Sequence, residues 1–455
     1  MSDPVSVEVL TAPDAEDAQR RVAGALIAAG LEPGDRIAFC LPSSAALLCA
    51  VLGSLRIGVV PVLLNATLLE GERRVLLADA DPELVVTDPE HLAALGTGAS
   101  VELAPHPLAR PMHYTSGTTG RSKGVWSGLW SADQAAAALA DEADLWSFGP
   151  HDVHLVCSPM YHSVSIRFAA GTLLQGGTCV ILSRFDPRVA RDTLLGLHGP
   201  PPTTTFVAPS ALSRLLTASD GELGGFDSLR LLVHAGSPCP SSLKRAAMDR
   251  VRPDVLWEFY GSTEGQFTAC STTEWLAHPG TVGRARTGRE LSVDADSTVW
   301  CRPPEFARFR YWRDDAKTAS SWRDGAFTVG DLGRLDADGY LYLDGRRDDL
   351  IITGGVNVYP AEVEEALADV EGVAEIAVFG MTDHHWGQRV CAAVVPIVAP
   401  HRGSSSPVLE AVAVRAVSRL AGYKRPKQYL VLDALPRTAT GKLQRNLLAG
   451  LADPG

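Results

Sequence analysis

Short apolar runs alternate with segments of helical periodicity along the first two-thirds of the chain. Arg36–Leu41 reads as a strand, Ser43–Leu55 as a helix and Val59–Leu64 as a second strand. His154–Met160, Cys179–Ser183, Thr203–Ala208, Leu229–His234 and Val255–Tyr260 continue the strand series, with helices such as Pro187–Leu197 and Ser241–Arg250 between them. Strands that are apolar almost throughout, separated by helices, are expected in parallel sheets covered on both faces. The pattern changes near residue 340. Tyr340–Asp344 reads as a short strand and Arg346–Asp349 as a charged stretch. A helix over Pro360–Ala368, strands at Ala374–Phe379 and Val390–Pro396, a helix over Val408–Ala421 and a strand at Gln428–Leu432 follow, with His401–Ser406 as an exposed loop. The predicted class is α/β. A large N-terminal domain of parallel-rich sheets covered by helices spans 1–346, and a small α+β domain spans 347–455.

Bulk properties narrow the function. With 455 residues, 46% apolar and 21% charged, the chain suits a multidomain globular protein. A formal charge of −12 argues against nucleic acid or an anionic membrane surface as partner, so an anionic ligand has to be held by local donors. Ala45–Leu64 is apolar, but Arg56, two glycines and Pro61 interrupt it, which predicts a buried helix and strand and no membrane span. Met1–Ala15 is acidic and lacks the apolar core of a signal peptide. The eight cysteines are scattered without a Cys-x-x-Cys pair, which favours free thiols in a reducing cytoplasm over disulfides or zinc.

Five motifs carry candidate chemistry. Residues 114–125 read Tyr-Thr-Ser-Gly-Thr-Thr-Gly-Arg-Ser-Lys-Gly-Val. Gly117 and Gly120 permit a sharp turn close to a ligand, Ser116, Thr118 and Thr119 bring hydroxyls, and Lys123 brings a charge; the combination suits a polyphosphate. Its spacing is not that of the Walker P-loop. The second motif, Tyr-Gly-Ser-Thr-Glu-Gly at 260–265, ends a predicted strand, where ligands bind in open α/β sheets. Glu264 could coordinate Mg²⁺ there. The others are Val-Gly-Asp-Leu-Gly around Asp331, the charged segment from Leu343 to Pro360 with Gly354 and Gly355, and Pro-Arg-Thr-Ala-Thr-Gly-Lys ending at Lys442. Each taken singly also reads as a turn or a solvated charge.

In this order and at these separations the five motifs resemble those of the adenylate-forming superfamily, which includes acyl-CoA synthetases, luciferases and peptide-synthetase adenylation domains. The resemblance covers nearly the whole chain. It implies that a carboxylate attacks the α-phosphate of ATP, releasing pyrophosphate, and that a thiol then displaces AMP. Thr115, Ser116, Gly117, Thr118, Thr119, Gly120 and Lys123 would hold the β- and γ-phosphates. Glu264 would bind Mg²⁺, and Thr263 would contact the α-phosphate. Tyr260 and Gly261 would lie against adenine, with Gly236 and Ser237 on its other side. Asp331 and Arg346 would hold the ribose. Lys442 would bridge the carboxylate and the α-phosphate. The small domain would be mobile about a hinge at Asp348, exchanging Lys442 for Gly354 and Gly355 beside the thiol tunnel.

Ser158–Ser163, with His162, resembles the aromatic-histidine motif of acyl- and aryl-CoA synthetases, where the histidine borders the carboxylate site. No acid stands in that motif to meet an α-ammonium, so a free amino acid is a poor candidate. Tyr423–Lys427 resembles the same branch, and its basic residues either meet CoA phosphates or form a solvated turn. Arg167, in the otherwise apolar helix Val164–Leu174, is either a buried partner of an acid or a contact for a substrate carboxylate. The apolar surroundings suggest a hydrophobic acyl or aryl group. Ser122 stands where the family usually has proline, the first 110 residues are trimmed, and Leu291–Pro304 is shortened. The expected activity is an acyl- or aryl-CoA ligase using ATP, Mg²⁺ and CoA. A carrier-protein thiol or an amine as acceptor, an inorganic oxyanion as the activated acid, and a non-catalytic nucleotide-binding protein stay open beside it.

Overall fold

The helix Ala45–Leu55 is apolar on all sides and Leu47–Leu55 is buried without interruption, so it can only lie inside the protein. Ser44 caps it, accepting from Leu47 N at 3.1 Å. The strand Val60–Leu63 that follows is likewise buried at every residue, as the interrupted apolar stretch predicts. These elements belong to a computed structural model that describes residues 4–115, 122–218, 226–354, 356–384, 386–398, 407–437 and 443–452. The chain forms two compact units. Residues 1–238, 246–291 and 301–327 make the large one; residues 239–245, 292–300 and 328–455 make the small one.

Two sheets of six or more strands lie in the large unit. The first has the strand order Val7–Thr11, Thr178–Leu182, Val153–Val156, Thr204–Val207, Leu231–His234, Leu256–Gly261, Gln266–Ser271, Arg284–Ala285. Its five central strands, from Thr178–Leu182 to Leu256–Gly261, run parallel, and antiparallel strands close both edges. The second has the order Arg310–Tyr311, Lys123–Trp126, Met112–Thr115, Val60–Leu63, Arg36–Phe39, Leu84–Val86. The last four of these are parallel. Pro61 sits in an interior strand, where a missing N–H would normally break the ladder. It is accommodated because Met112–Thr115 begins pairing only at Val62. The core packs the second sheet against the helices Ala12–Ala28, Ala45–Leu55 and Ser163–Leu174, whose inward residues include Val22, Leu26, Ile166 and Leu173.

The expected strand and helix series is present, with boundaries moved by one to a few residues. The reading missed the edge strand Val7–Thr11 and the hairpin Met112–Thr115 with Lys123–Trp126, which flanks the phosphate-loop motif. In the small unit, Val356–Val358, Ile351–Thr353, Gly387–Pro396 and Val373–Asp383 form a sheet, with Gln428–Val431 pairing parallel to Gly387–Pro396. The helices Pro360–Leu367 and Pro407–Arg419 cover its core, with Val363, Leu367, Val412 and Ala416 buried. The predicted loop at 401–406 lies outside the described residues.

Candidate active site

The strands Leu256–Gly261 and Gln266–Ser271 are antiparallel, and the connection between them carries Glu264. Ser262 N donates to Gly265 O at 2.8 Å, which closes the turn. Gly265 has to be glycine, because a Cβ there would come within 2.6 Å of the Phe327 ring. Gly261 sits at a register shift and has its own packing reason, since a Cβ would meet Gly265 O at 2.8 Å. The turn thus delivers Glu264 in one orientation, and the side chain is buried.

A residue outside every motif holds that carboxylate. The Tyr311 hydroxyl donates to Glu264 Oε1 at 2.9 Å. Burial, and then the neighbouring charge of Glu264, push the phenol well above its usual range, so it stays a donor. Tyr311 pairs with Val125 in the strand Lys123–Trp126, and the Lys123 ammonium stands 5.8 Å from its ring centroid. One aromatic side chain therefore touches both the candidate metal ligand and the lysine of the phosphate-loop motif. Glu264 Oε2 makes no hydrogen bond among the described residues, so one hard oxygen is available to a cation. No group of three or more His, Cys, Asp or Glu that could hold a metal exists among the described residues.

Tyr260 lies against Phe267, with ring centroids 4.7 Å apart, which fixes the plane of the phenol ring. Gly236 has φ +95°, and the space where a Cβ would stand is open to beyond 4 Å; Ser237 next to it is exposed. Thr263 is half-buried. His162 is the N-cap of the helix Ser163–Leu174, with its ring centroid 4.5 Å from that of Tyr161. In the small unit, Asp331 and Arg346 face each other across a hairpin and form an ion pair at 3.1 Å. Gly354 turns with φ +59°, and a Cβ there would come within 2.9 Å of the Trp386 ring. Thr115 is described in its backbone alone, and Ser116, Gly117, Thr118, Thr119, Gly120, Gly355 and Lys442 lie outside the described residues.

Arg167 has the acidic partner that its place in an apolar helix demanded. Its Nε stands 3.0 Å from Glu142 Oε2. Arg286 bridges Glu142 at 3.1 Å and Asp141 at 2.8 Å, and Arg289 reaches Asp141 at 2.7 Å. Burial alone would raise Glu142, but Arg167 and Arg286 beside it hold it down to about 2. The basic residues of Tyr423–Lys427 are engaged within the small unit. Lys424 pairs with Glu362, Arg425 donates to the Leu420 and Val417 carbonyls, and Lys427 donates to Gly422 O.

Residues 5–109 and 99–299 match the AMP-binding enzyme family, and residues 362–442 match the AMP-binding enzyme C-terminal domain. This chain belongs to the AMP-binding enzyme family. Among the relatives of this AMP-binding enzyme, 2-succinylbenzoate–CoA ligase of Bacillus licheniformis is 32% identical over 460 aligned positions, covering 94% of this chain and 92% of that protein. The fatty acid–[acyl-carrier-protein] ligase ScoC of Streptomyces coeruleorubidus is 32% identical, covering 94% of this chain and 89% of its own. The solved structure of Bacillus subtilis o-succinylbenzoate CoA synthetase with its acyl-adenylate intermediate matches with a TM-score of 0.82 at 28% identity, over 96% of this chain and 92% of that one. The parallel-rich α/β architecture is that of these structures.

Proposed function

We propose that this AMP-binding enzyme activates a carboxylic acid with ATP as an acyl-adenylate, releasing pyrophosphate, and then transfers the acyl group to CoA, releasing AMP. The observation that carries the reading is the buried Glu264, fixed by Tyr311, whose ring also faces the Lys123 ammonium, within a chain that matches the family over residues 5–299 and 362–442. Two anions must meet in the first step, and fixed donors and cations lower the cost of that encounter. Glu264 offers a single carboxylate, which fits Mg²⁺, since that ion commonly takes one or two carboxylates together with substrate phosphates. When bound, Mg²⁺ neutralises phosphate charge.

In this reading Thr115, Ser116, Gly117, Thr118, Thr119, Gly120 and Lys123 hold the phosphates, and Thr263 the α-phosphate. Tyr260 stacks on adenine, Gly236 and Ser237 line its other side, and Asp331 and Arg346 hold the ribose. His162 borders the acid, and Lys442 bridges acid and α-phosphate. The small domain, residues 347–455, turns about Asp348 between the two steps and presents Gly354 and Gly355 to the thiol. The eight free cysteines, seven of them buried, suit a reducing cytoplasm.

The test is acid-dependent ATP–pyrophosphate exchange across aliphatic, aromatic and dicarboxylic acids, with and without CoA. Exchange with an acid, together with AMP release only when CoA is present, is the expected outcome. Exchange without CoA turnover would replace CoA by an acyl-carrier thiol, the acceptor class named for the relative ScoC. Silence across the panel would remove the adenylation reading.

A further inference from the structure

A buried histidine that no motif claims stands two residues ahead of Thr115. His113 belongs to the strand Met112–Thr115 and is 5% exposed. Its neighbour Tyr114 leaves the strand on the other face, where its hydroxyl donates to Asp79 Oδ2 at 2.8 Å. The His113 ring meets the segment that carries His162: its Nδ1 lies 2.9 Å from the Tyr161 carbonyl oxygen. A carbonyl only accepts, so Nδ1 carries the proton and donates. Nε2 is buried and has no partner among the described residues. Burial lowers the ring to about 4, so it is neutral, with a single N–H to give, and Tyr161 takes it.

The two sides of this contact are held very differently. The His113 backbone pairs with Leu63 on one side and Val125 on the other, so the strand keeps its place without the ring. Residues 157–162 lie between the strand Val153–Val156 and the helix Ser163–Leu174 and belong to neither. They form a turn in which His162 N donates to Pro159 O at 3.1 Å. Side chains from elsewhere in the large unit grip its backbone beside His162. Ser43 Oγ accepts from Met160 N at 3.1 Å, and His113 donates to Tyr161 O. The His162 ring in turn lies against Tyr161, with 4.5 Å between centroids. Removing the His113 donor therefore releases the turn and not the strand, and Tyr161 moves with His162.

Resting on the assignment of the acid to His162 and of the phosphates to the loop motif, we infer that His113 is a positioning residue. Its Nδ1–H ties the acid-binding turn to the phosphate-loop strand and so sets where the carboxylate stands relative to ATP. The test is ATP–pyrophosphate exchange in His113→Leu, His113→Asn and His113→Gln, with the best-exchanging acid among aliphatic, aromatic and dicarboxylic acids. Leucine removes the donor at similar bulk. The asparagine amide nitrogen takes the place of Nδ1, and the glutamine amide nitrogen that of Nε2. In His113→Leu and His113→Gln, KM for the acid should rise about tenfold, the scale of a carbonyl left unpaired away from water, with KM for ATP unchanged. His113→Asn should keep the acid KM close to wild type. Equal rises in both KM values would make His113 a support of the phosphate-loop strand and overturn the inference. So would wild-type KM values in all three variants, or an acid KM in His113→Asn as high as in His113→Gln. The asparagine–glutamine pair decides this even if His113→Leu fails to fold. Wild-type enzyme that exchanges with no acid would remove the adenylation reading, and the inference with it, whatever the variants do.

Discussion

Tyr311 is bound to Glu264 by a single hydrogen bond in a place from which water is largely excluded. A buried donor aimed at a carboxylate does two things: it orients the acid, and it withdraws density from the oxygen it touches. Tyr311→Phe keeps the ring and its packing but removes the donor. We expect adenylate formation to fall by about tenfold or more, in line with ~1.5–3 kcal/mol for a hydrogen bond to a charged group. The Mg²⁺ concentration for half-maximal rate should shift, and so should Mn²⁺ affinity measured directly by electron paramagnetic resonance in the presence of ATP. An unchanged metal dependence would leave Tyr311 a packing residue only. No motif announces this tyrosine, because its partner is 47 residues away in sequence and the two meet only when separate strands pack. The need of Arg167 for an acid was legible in its apolar helix; that the acid is Glu142 was not, since Glu142 lies on another helix whose facing is set by packing.

Helix Ala132–Trp146 carries Asp141, Glu142 and Trp146 and so presents the whole acidic side of the network. A capping box starts it. Ser131 accepts from Gln134 N at 3.3 Å, and the Gln134 side chain accepts from Ser131 N at 3.0 Å. Ser131→Ala should lower global stability by about 1 kcal/mol, read from the urea midpoint, with ATP–pyrophosphate exchange retained. A loss of exchange far beyond the loss of folded protein would mean that the cap also sets the position of the network. At this scale the sequence was informative where burial is complete. The helix Ala45–Leu55 and the strand Val60–Leu63 are almost wholly apolar runs, and such runs can only be interior. The edge strand Val7–Thr11 mixes exposed and buried positions over five residues, too short a stretch for periodicity to separate it from a loop.

At the scale of the whole molecule, the two half-reactions and the response to acid separate the roles of distant residues. On the proposed function Lys442 serves the first half-reaction alone. Lys442→Ala should suppress adenylate formation while leaving thioester formation from supplied acyl-AMP largely intact, and Asp348→Pro should do the reverse. Equal loss of both half-reactions in Lys442→Ala would contradict the assigned role. The second outcome concerns acid stability. Burial depresses His113 from 6.5 to about 4 and His154 from 6.5 to about 3. The folded protein therefore refuses protons that the unfolded chain accepts. Stability from these neutral rings is complete above pH 6.5 and is lost as pH falls toward 4 and 3. Each ring can take up to ~1.4 kcal/mol per pH unit. Urea midpoints should fall across that window, and less steeply in His154→Gln; a flat profile would sink the argument. The sequence by itself determined the α/β class, the two-part texture and the order of the chemical motifs, because hydrophobic period, glycine turns and charged side chains are local properties. The tertiary structure alone decided which carboxylate Tyr311 holds and which acids Arg167, Arg286 and Arg289 share. Those are pairings between segments far apart in the chain, and only packing brings such segments within a few ångströms.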